Sequence, residues 1–156
     1  MKSNQKHENI KVAEISLRYH SRTKISEAAK VTNSKDSFNI LLSRWNLDEL
    51  QIRESFKIIL LNRNNRVKGI CTISQGGVSG TVADPKIIFS TALKSLSCGI
   101  ILAHNHPSGN ISPSNADITL TQRMVDAGKL LDISILDHII IGTTETYYSF
   151  ADEGRI

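Results

Sequence analysis

Apolar and polar positions alternate from Val12 to Tyr19, with Ala13, Ile15, Leu17 and Tyr19 set against Val12, Glu14, Ser16 and Arg18, which predicts a half-buried strand. Helix-start residues at Ser34-Lys35-Asp36-Ser37 precede Phe38, Ile40, Leu41, Leu42 and Trp45, predicting a helix through Trp45, with a short helical or turn segment at Asp48–Gln51. Phe56–Leu61 and Val67–Ser74 are β-rich runs, and Asn62-Arg63-Asn64-Asn65-Arg66 between them signals a hairpin. After the glycines at 76, 77 and 80, Asp84-Pro85 opens a helix whose apolar side reads as Ile87, Ile88, Ala92, Leu93 and Leu96. Cys98–Ala103 is a continuous apolar run, as expected of a strand covered on both faces. Ser114 caps a helix to Leu131 with Ile118, Leu120, Val125 and Leu130 turned inward, and strands follow at Ile133–Ile141 and Thr146–Phe150. Interleaved strands and helices give an α/β (α+β) layered sheet with helices beside it.

Within this order one stretch carries chemistry. Leu102-Ala103-His104-Asn105-His106-Pro107-Ser108-Gly109 ends the apolar strand, and Pro113-Ser114-Asn115-Ala116-Asp117 follows it. Residues i and i+2 of a strand share a face, so His104 and His106 can converge on one ion. Asp117 can return to the same point if the intervening loop folds back. Two histidines and an aspartate leave one position of a tetrahedral zinc open, the arrangement of a catalytic site.

The pattern His-x-His-Pro, six residues, Ser-x-x-Asp resembles the JAMM (MPN+) metalloproteases. Asn105, Pro107-Ser108-Gly109 and Pro113-Ser114 make it similar to the RadC-like branch of that superfamily. The resemblance runs from about Glu54 to Phe150, through Asp137-His138-Ile139-Ile140-Ile141-Gly142 and Tyr148-Ser149-Phe150. It implies a curved mixed sheet flanked by helices, the layered architecture shared with cytidine deaminases. It also implies a zinc peptidase acting on a peptide or isopeptide carbonyl, with Zn2+ on His104, His106 and Asp117. Glu54, just before a strand, matches the upstream glutamate that moves the water proton to the leaving amine. Ser114 matches the serine that helps stabilise the oxyanion, and it can equally be only the helix cap. Asn105, pointing opposite to the two histidines, is expected to orient the loop, and His138 to be a hydrogen-bonded strand histidine, with a place behind the metal ligands or along the cleft as the alternative. Lys86-Ile87 departs from the Arg-Glu pair that RadC-like proteins usually carry after this proline, which puts a surface or substrate contact in doubt.

Composition narrows the setting. A chain of 156 residues can bury a core without disulfides, and Cys71 and Cys98 are too far apart for a Cys-x-x-Cys motif, which fits a reducing cytoplasm. Met1–Lys11 is polar and charged, so no signal peptide or membrane span is expected there. The net charge of +4 sits on residues 1–30, with seven Lys or Arg against three Glu, while residues 31–156 are balanced. This marks off a basic segment with the predicted strand, 1–30, from the stretch 31–156 that the resemblance implies to be a metal-dependent hydrolase domain, the whole being expected to form one compact domain. The segment allows at most weak, sequence-blind contact with nucleic acid through phosphates. A stretch of this length is not expected to carry the helix-hairpin-helix region of longer RadC proteins. The competing reading is a JAMM-fold module without catalysis, tied to DNA repair or a mobile element; peptide or protein substrate and oligomeric state are not written in the residues.

Overall fold

The chain is described here from a computed structural model, for residues 13, 19, 21, 23–77 and 81–156. The strand expected over Val12–Tyr19 lies almost wholly outside the described residues. Helix α1 (Ser34–Leu42) precedes a short 3-10 turn at Leu47–Glu49, then β1 (Ser55–Leu61) and β2 (Val67–Gln75). Helix α2 (Pro85–Lys94), β3 (Gly99–Asn105), α3 (Asn115–Leu130), β4 (Ser134–Ile141) and β5 (Tyr147–Ser149) follow. The strands form one open mixed sheet in the order β2-β1-β3-β4-β5. β1 is antiparallel to β2 and β3, β4 to β5, and only β3 and β4 run parallel, joined by the α3 crossover. The expected α/β layering with a mixed sheet and flanking helices is therefore present.

Strand parity assigns the two layers. Ile59, Leu61, Ile101, Ala103, Ile139 and Ile141 pack with Phe38, Leu41 and Trp45 from the α1 side. Phe56, Ile58, Leu60, Ile100 and Leu102 pack with Ile88, Phe89 and Ala92 of α2 and Met124 of α3. Every residue of β1 and β3 is buried, as the continuous apolar run Cys98–Ala103 predicts for β3. The same alternation carries His104 to the α2/α3 face and Asn105 to the α1 face.

Three expectations of the pattern are corrected. Helix α1 ends at Leu42, because Arg44 and Trp45 donate their N–H groups three residues back, to Leu41 and Leu42, in a turn that still buries Trp45. In α2 the buried side is Ile88, Phe89 and Ala92, whereas Ile87, Leu93 and Leu96 are exposed. Leu96 lies beyond the helix with φ 52°, where the chain turns back and the Ser97 N–H reaches the Ala92 carbonyl. In α3 the buried line is Thr121, Met124 and Gly128, while Ile118 and Leu130 face water. Gly128 is required by close approach, since a Cβ there would lie 2.3 Å from the Ile133 carbonyl oxygen.

The end of the sheet is tied by Asp137, whose carboxylate is buried. Its Oδ1 accepts the N–H groups of His138 at 2.7 Å and Ala151 at 3.0 Å, and its Oδ2 accepts the Ser149 hydroxyl at 2.7 Å. Burial pushes this carboxyl up, and the three bonds oppose that shift. Asp137→Ala strands these donors at a cost of ~1–3 kcal/mol each where water cannot reach. We expect a loss of at least ~3 kcal/mol in urea denaturation; a loss under ~1 kcal/mol would contradict the role.

Candidate metal centre

The site forms where β3 ends. His104 is the penultimate residue of β3, held on the α3 face by strand parity and stacked on Phe56 with ring centroids 6.0 Å apart and planes 5° from parallel. The His106 N–H continues the ladder by donating to the Ile141 carbonyl at 2.9 Å, so its side chain rises on the same face as His104. The loop then turns on Gly109, at φ 78°, and crosses the end of β4 over Gly142. A Cβ on Gly142 would lie 2.6 Å from Ile111 Cγ2 and 2.7 Å from the Gly109 carbonyl. The loop returns to α3, whose first turn carries Asp117.

Ser114 caps this helix reciprocally with Asp117. The Asp117 N–H donates to Ser114 Oγ at 3.1 Å, and Asp117 Oδ2 accepts the Ser114 N–H at 2.7 Å and its hydroxyl at 2.6 Å. The cap leaves Asp117 Oδ1 aimed at His104. His104 Nε2 lies 2.9 Å from His106 Nε2 and 3.2 Å from Asp117 Oδ1, and His106 Nε2 lies 3.6 Å from Asp117 Oδ2. Donors around a tetrahedral ion with bonds of about 2.0–2.1 Å lie ~3.3 Å from one another. The three side chains thus have the spacing of a single small cation's ligands, and among the described residues they form the one such cluster.

Protonation supports the same assignment. His106 Nδ1 stands 2.6 Å from the Asn110 carbonyl, which can only accept, so the neutral ring carries its proton there and leaves Nε2 bare. His104 Nε2 faces that nitrogen at 2.9 Å, so a proton or a metal ion must lie between the two. Asp117 supplies the counter-charge: burial works against its ionisation, but the two imidazoles and the Ser114 hydroxyl outweigh burial and hold its carboxyl far below the ordinary range. The Asp117 contact also pushes His106 upward against burial, so a proton and a metal ion compete for Nε2 of that ring.

Glu54 stands beside this cluster. It lies at the start of the β1/β2 ladder, where its N–H donates to the Gly77 carbonyl and its own carbonyl accepts the Gly76 N–H. Its half-buried carboxyl is pushed up by burial and feels the charges of His104, His106 and Asp117, with the Thr81 N–H as a hydrogen-bond donor. Asn105 fixes this acid from below. Its Oδ1 accepts the Ser55 N–H at 2.8 Å, and its Nδ2 donates to the carbonyls of Leu50 at 2.7 Å and Arg53 at 3.0 Å. Asn105 therefore orients the segment that carries Glu54, rather than the loop after His106.

His138 is the hydrogen-bonded strand histidine expected, and its partners belong to the site. It is wholly buried, its ring stacked on Phe150 at 4.9 Å, and it reaches His104 Nδ1 with Nε2 at 2.9 Å and Thr121 Oγ1 with Nδ1 at 2.6 Å. Burial holds it well below the usual histidine range, so it is neutral. Thr121 escaped notice in the sequence because it lies on a helix whose periodicity points elsewhere. The signal for His138 was available: a histidine inside an isoleucine run must find partners if it is buried.

Comparison with known proteins places these features in a wider set. The family described as the RadC-like JAB domain matches residues 31–155. A "UPF0758 protein" of Flavobacterium johnsoniae is 43% identical over 130 residues, which are 83% of this chain and 55% of that protein. Relatives of the same name in Porphyromonas gingivalis and Clostridium beijerinckii are 47% identical over 104 residues and 36% over 147. These alignments take in 67% and 94% of this chain, and 46% and 62% of the two relatives. The chain thus spans roughly half to three-fifths of the length of these relatives. Among the described residues, no helix is long and apolar enough to cross a membrane.

Proposed function

The chain belongs to the family of RadC-like JAB domains, and from that premise we propose that it is a zinc-dependent hydrolase of the JAMM type, cutting a peptide or isopeptide bond. The observation that carries this reading is the convergence of His104 Nε2, His106 Nε2 and the Asp117 carboxylate at the spacing of one ion's ligands, beside a half-buried glutamate. The donor set fits zinc: two imidazole nitrogens and one carboxylate, with side-chain exposures of 2%, 19% and 14% that leave the His106 side open to a substrate. When bound there, zinc supplies a Lewis acid that acidifies water and polarises a carbonyl.

The remaining steps belong to the chain's own groups. Glu54 takes the proton of the attacking water and returns it to the leaving amine nitrogen, and the burial that raises its pKa favours holding that proton between the two transfers. The three hydrogen bonds of Asn105 hold the backbone on either side of Glu54, so that the carboxylate meets the water without a search. Ser114 serves first to clamp Asp117. To donate to a developing oxyanion its hydroxyl must turn from Asp117 Oδ2, where it now rests at 2.6 Å.

A module without catalysis needs neither bare converging nitrogens nor a glutamate with a raised pKa, and the basic segment that would favour it lies largely outside the described residues. The test is to strip the purified chain with a chelator, restore zinc, and follow cleavage of peptide and isopeptide-linked substrate libraries by mass spectrometry. We expect one zinc per chain and cleavage that disappears and returns with it. Cleavage indifferent to chelation would overturn the metal-dependent reading, and zinc uptake without cleavage of either bond type would favour the binding module.

A further inference from the structure

We propose that Thr121 and His138 are positioning residues of the metal centre: a buried relay from the Asp117 carbonyl through the Thr121 hydroxyl and the His138 imidazole to His104 keeps the His104 proton on Nδ1 and presents Nε2 bare. The inference rests on the metal-dependent reading above and extends it to groups that touch no ion.

The direction of each bond follows from its donors and acceptors. Thr121 Oγ1 lies 2.6 Å from the Asp117 carbonyl oxygen, which can only accept, so the single hydroxyl hydrogen is spent there. What the hydroxyl offers His138 is a lone pair, at 2.6 Å from Nδ1. His138 therefore carries its proton on Nδ1, and its Nε2 is an acceptor. The donor to that nitrogen is His104 Nδ1–H, at 2.9 Å. A neutral His104 protonated on Nδ1 has a bare Nε2, the atom that lies 3.2 Å from Asp117 Oδ1 and 2.9 Å from His106 Nε2.

Two further features mark the relay as part of the site rather than incidental core polarity. It begins on the main chain of one ligand, Asp117, and ends on the ring of another, His104, so it closes a loop through α3, β4 and β3. It is also dry. Thr121, His138 and His104 are 2%, 0% and 1% exposed, and Phe56 and Phe150 stack on the two imidazoles. With no water to substitute, deletion of one member leaves the next without a partner and the tautomer of His104 unselected. His106, at the rim, takes its tautomer from the Asn110 carbonyl instead. The buried ligand and the exposed ligand are thus set by separate devices.

The test uses the full chain and Thr121→Val, which keeps shape and removes the hydroxyl, with Thr121→Ser to restore it. Zinc affinity is measured by competition with a chromophoric chelator, and histidine tautomers by nitrogen-15 NMR of the zinc-loaded protein. We expect Thr121→Val to bind zinc about 10–100-fold more weakly, Thr121→Ser to recover most of that loss, and the parent to show His104 protonated on Nδ1. If the parent binds zinc and Thr121→Val binds it equally well, the relay is only core filling. Should Thr121→Val fail to fold, the parent's spectrum decides, and His104 protonated on Nε2 in the loaded protein would overturn the proposal. A parent that takes up no zinc would instead bring down the metal-dependent reading, and the relay with it.

Discussion

Glu54→Gln is expected to leave zinc in place and to lower zinc-dependent hydrolysis by about 10²–10⁴-fold. The amide keeps the size of the carboxylate, and the backbone pairing with Gly76 and Gly77 does not involve the side chain. The three cluster ligands are untouched, so metal content should match the parent. What is lost is a proton acceptor beside the water. Direction of pH dependence follows from the environment of Glu54: burial raises its pKa, the two histidines lower it, and the net shift is upward. The base form is populated only above that raised value. The acid limb of kcat/KM in the parent should therefore include the titration of Glu54, and rate should fall as pH drops through it. That limb should be absent from whatever activity Glu54→Gln retains. Full turnover by Glu54→Gln at parental zinc content would assign the base to another group.

What could be read in the chain depended on whether local periodicity and local chemistry agreed. In β3 they do: a continuous apolar run buried on both faces ends in His-x-His, and strand parity alone places the two imidazoles together and Asn105 opposite. The fold followed for the same reason, since each strand and helix was bounded by turn or capping residues whose physics is short-range. In α3 they conflict. Its buried line is Asp117 at the rim, then Thr121, Met124 and Gly128, because that face serves the site and the close approach to Ile133. Of the apolar residues that periodicity selects, Leu120 and Val125 pack against the core, whereas Ile118 and Leu130 end up facing water. A helix that spends its inner face on a ligand, a relay hydroxyl and a glycine contact cannot advertise that face by hydrophobicity. The partners of Asn105 and His138 were hidden for a different reason. They lie roughly fifty and roughly thirty residues away along the chain, at Leu50, Arg53 and Ser55 for one and at His104 for the other. Only the β1–β3 and β3–β4 pairings bring them into contact.

The histidines themselves should separate metal binding from stability, because they sit at different depths. His106→Ala is expected to weaken zinc binding by more than ~100-fold, beyond the 10–100-fold range typical of an outer partner, while the fold survives. Its ring is partly exposed; outside the cluster it bonds to the Asn110 carbonyl, and within the cluster it meets the His104 ring edge-on. Its backbone pairing with Ile141 is independent of the side chain. His104→Ala should lose the metal as fully and cost stability as well. It removes a ring packed on Phe56 and takes from the buried His138 Nε2 its hydrogen-bond donor. An unsatisfied buried polar atom costs ~1–3 kcal/mol, and the cavity left by the ring adds to that. Equilibrium unfolding in chelator, with no metal to complicate the comparison, reads the difference directly. His104→Ala should be the less stable of the two by at least ~2 kcal/mol. Equal stabilities would show that the His104–His138 bond contributes nothing to the apo fold, and zinc binding retained by both variants would remove these histidines from the ligand set altogether.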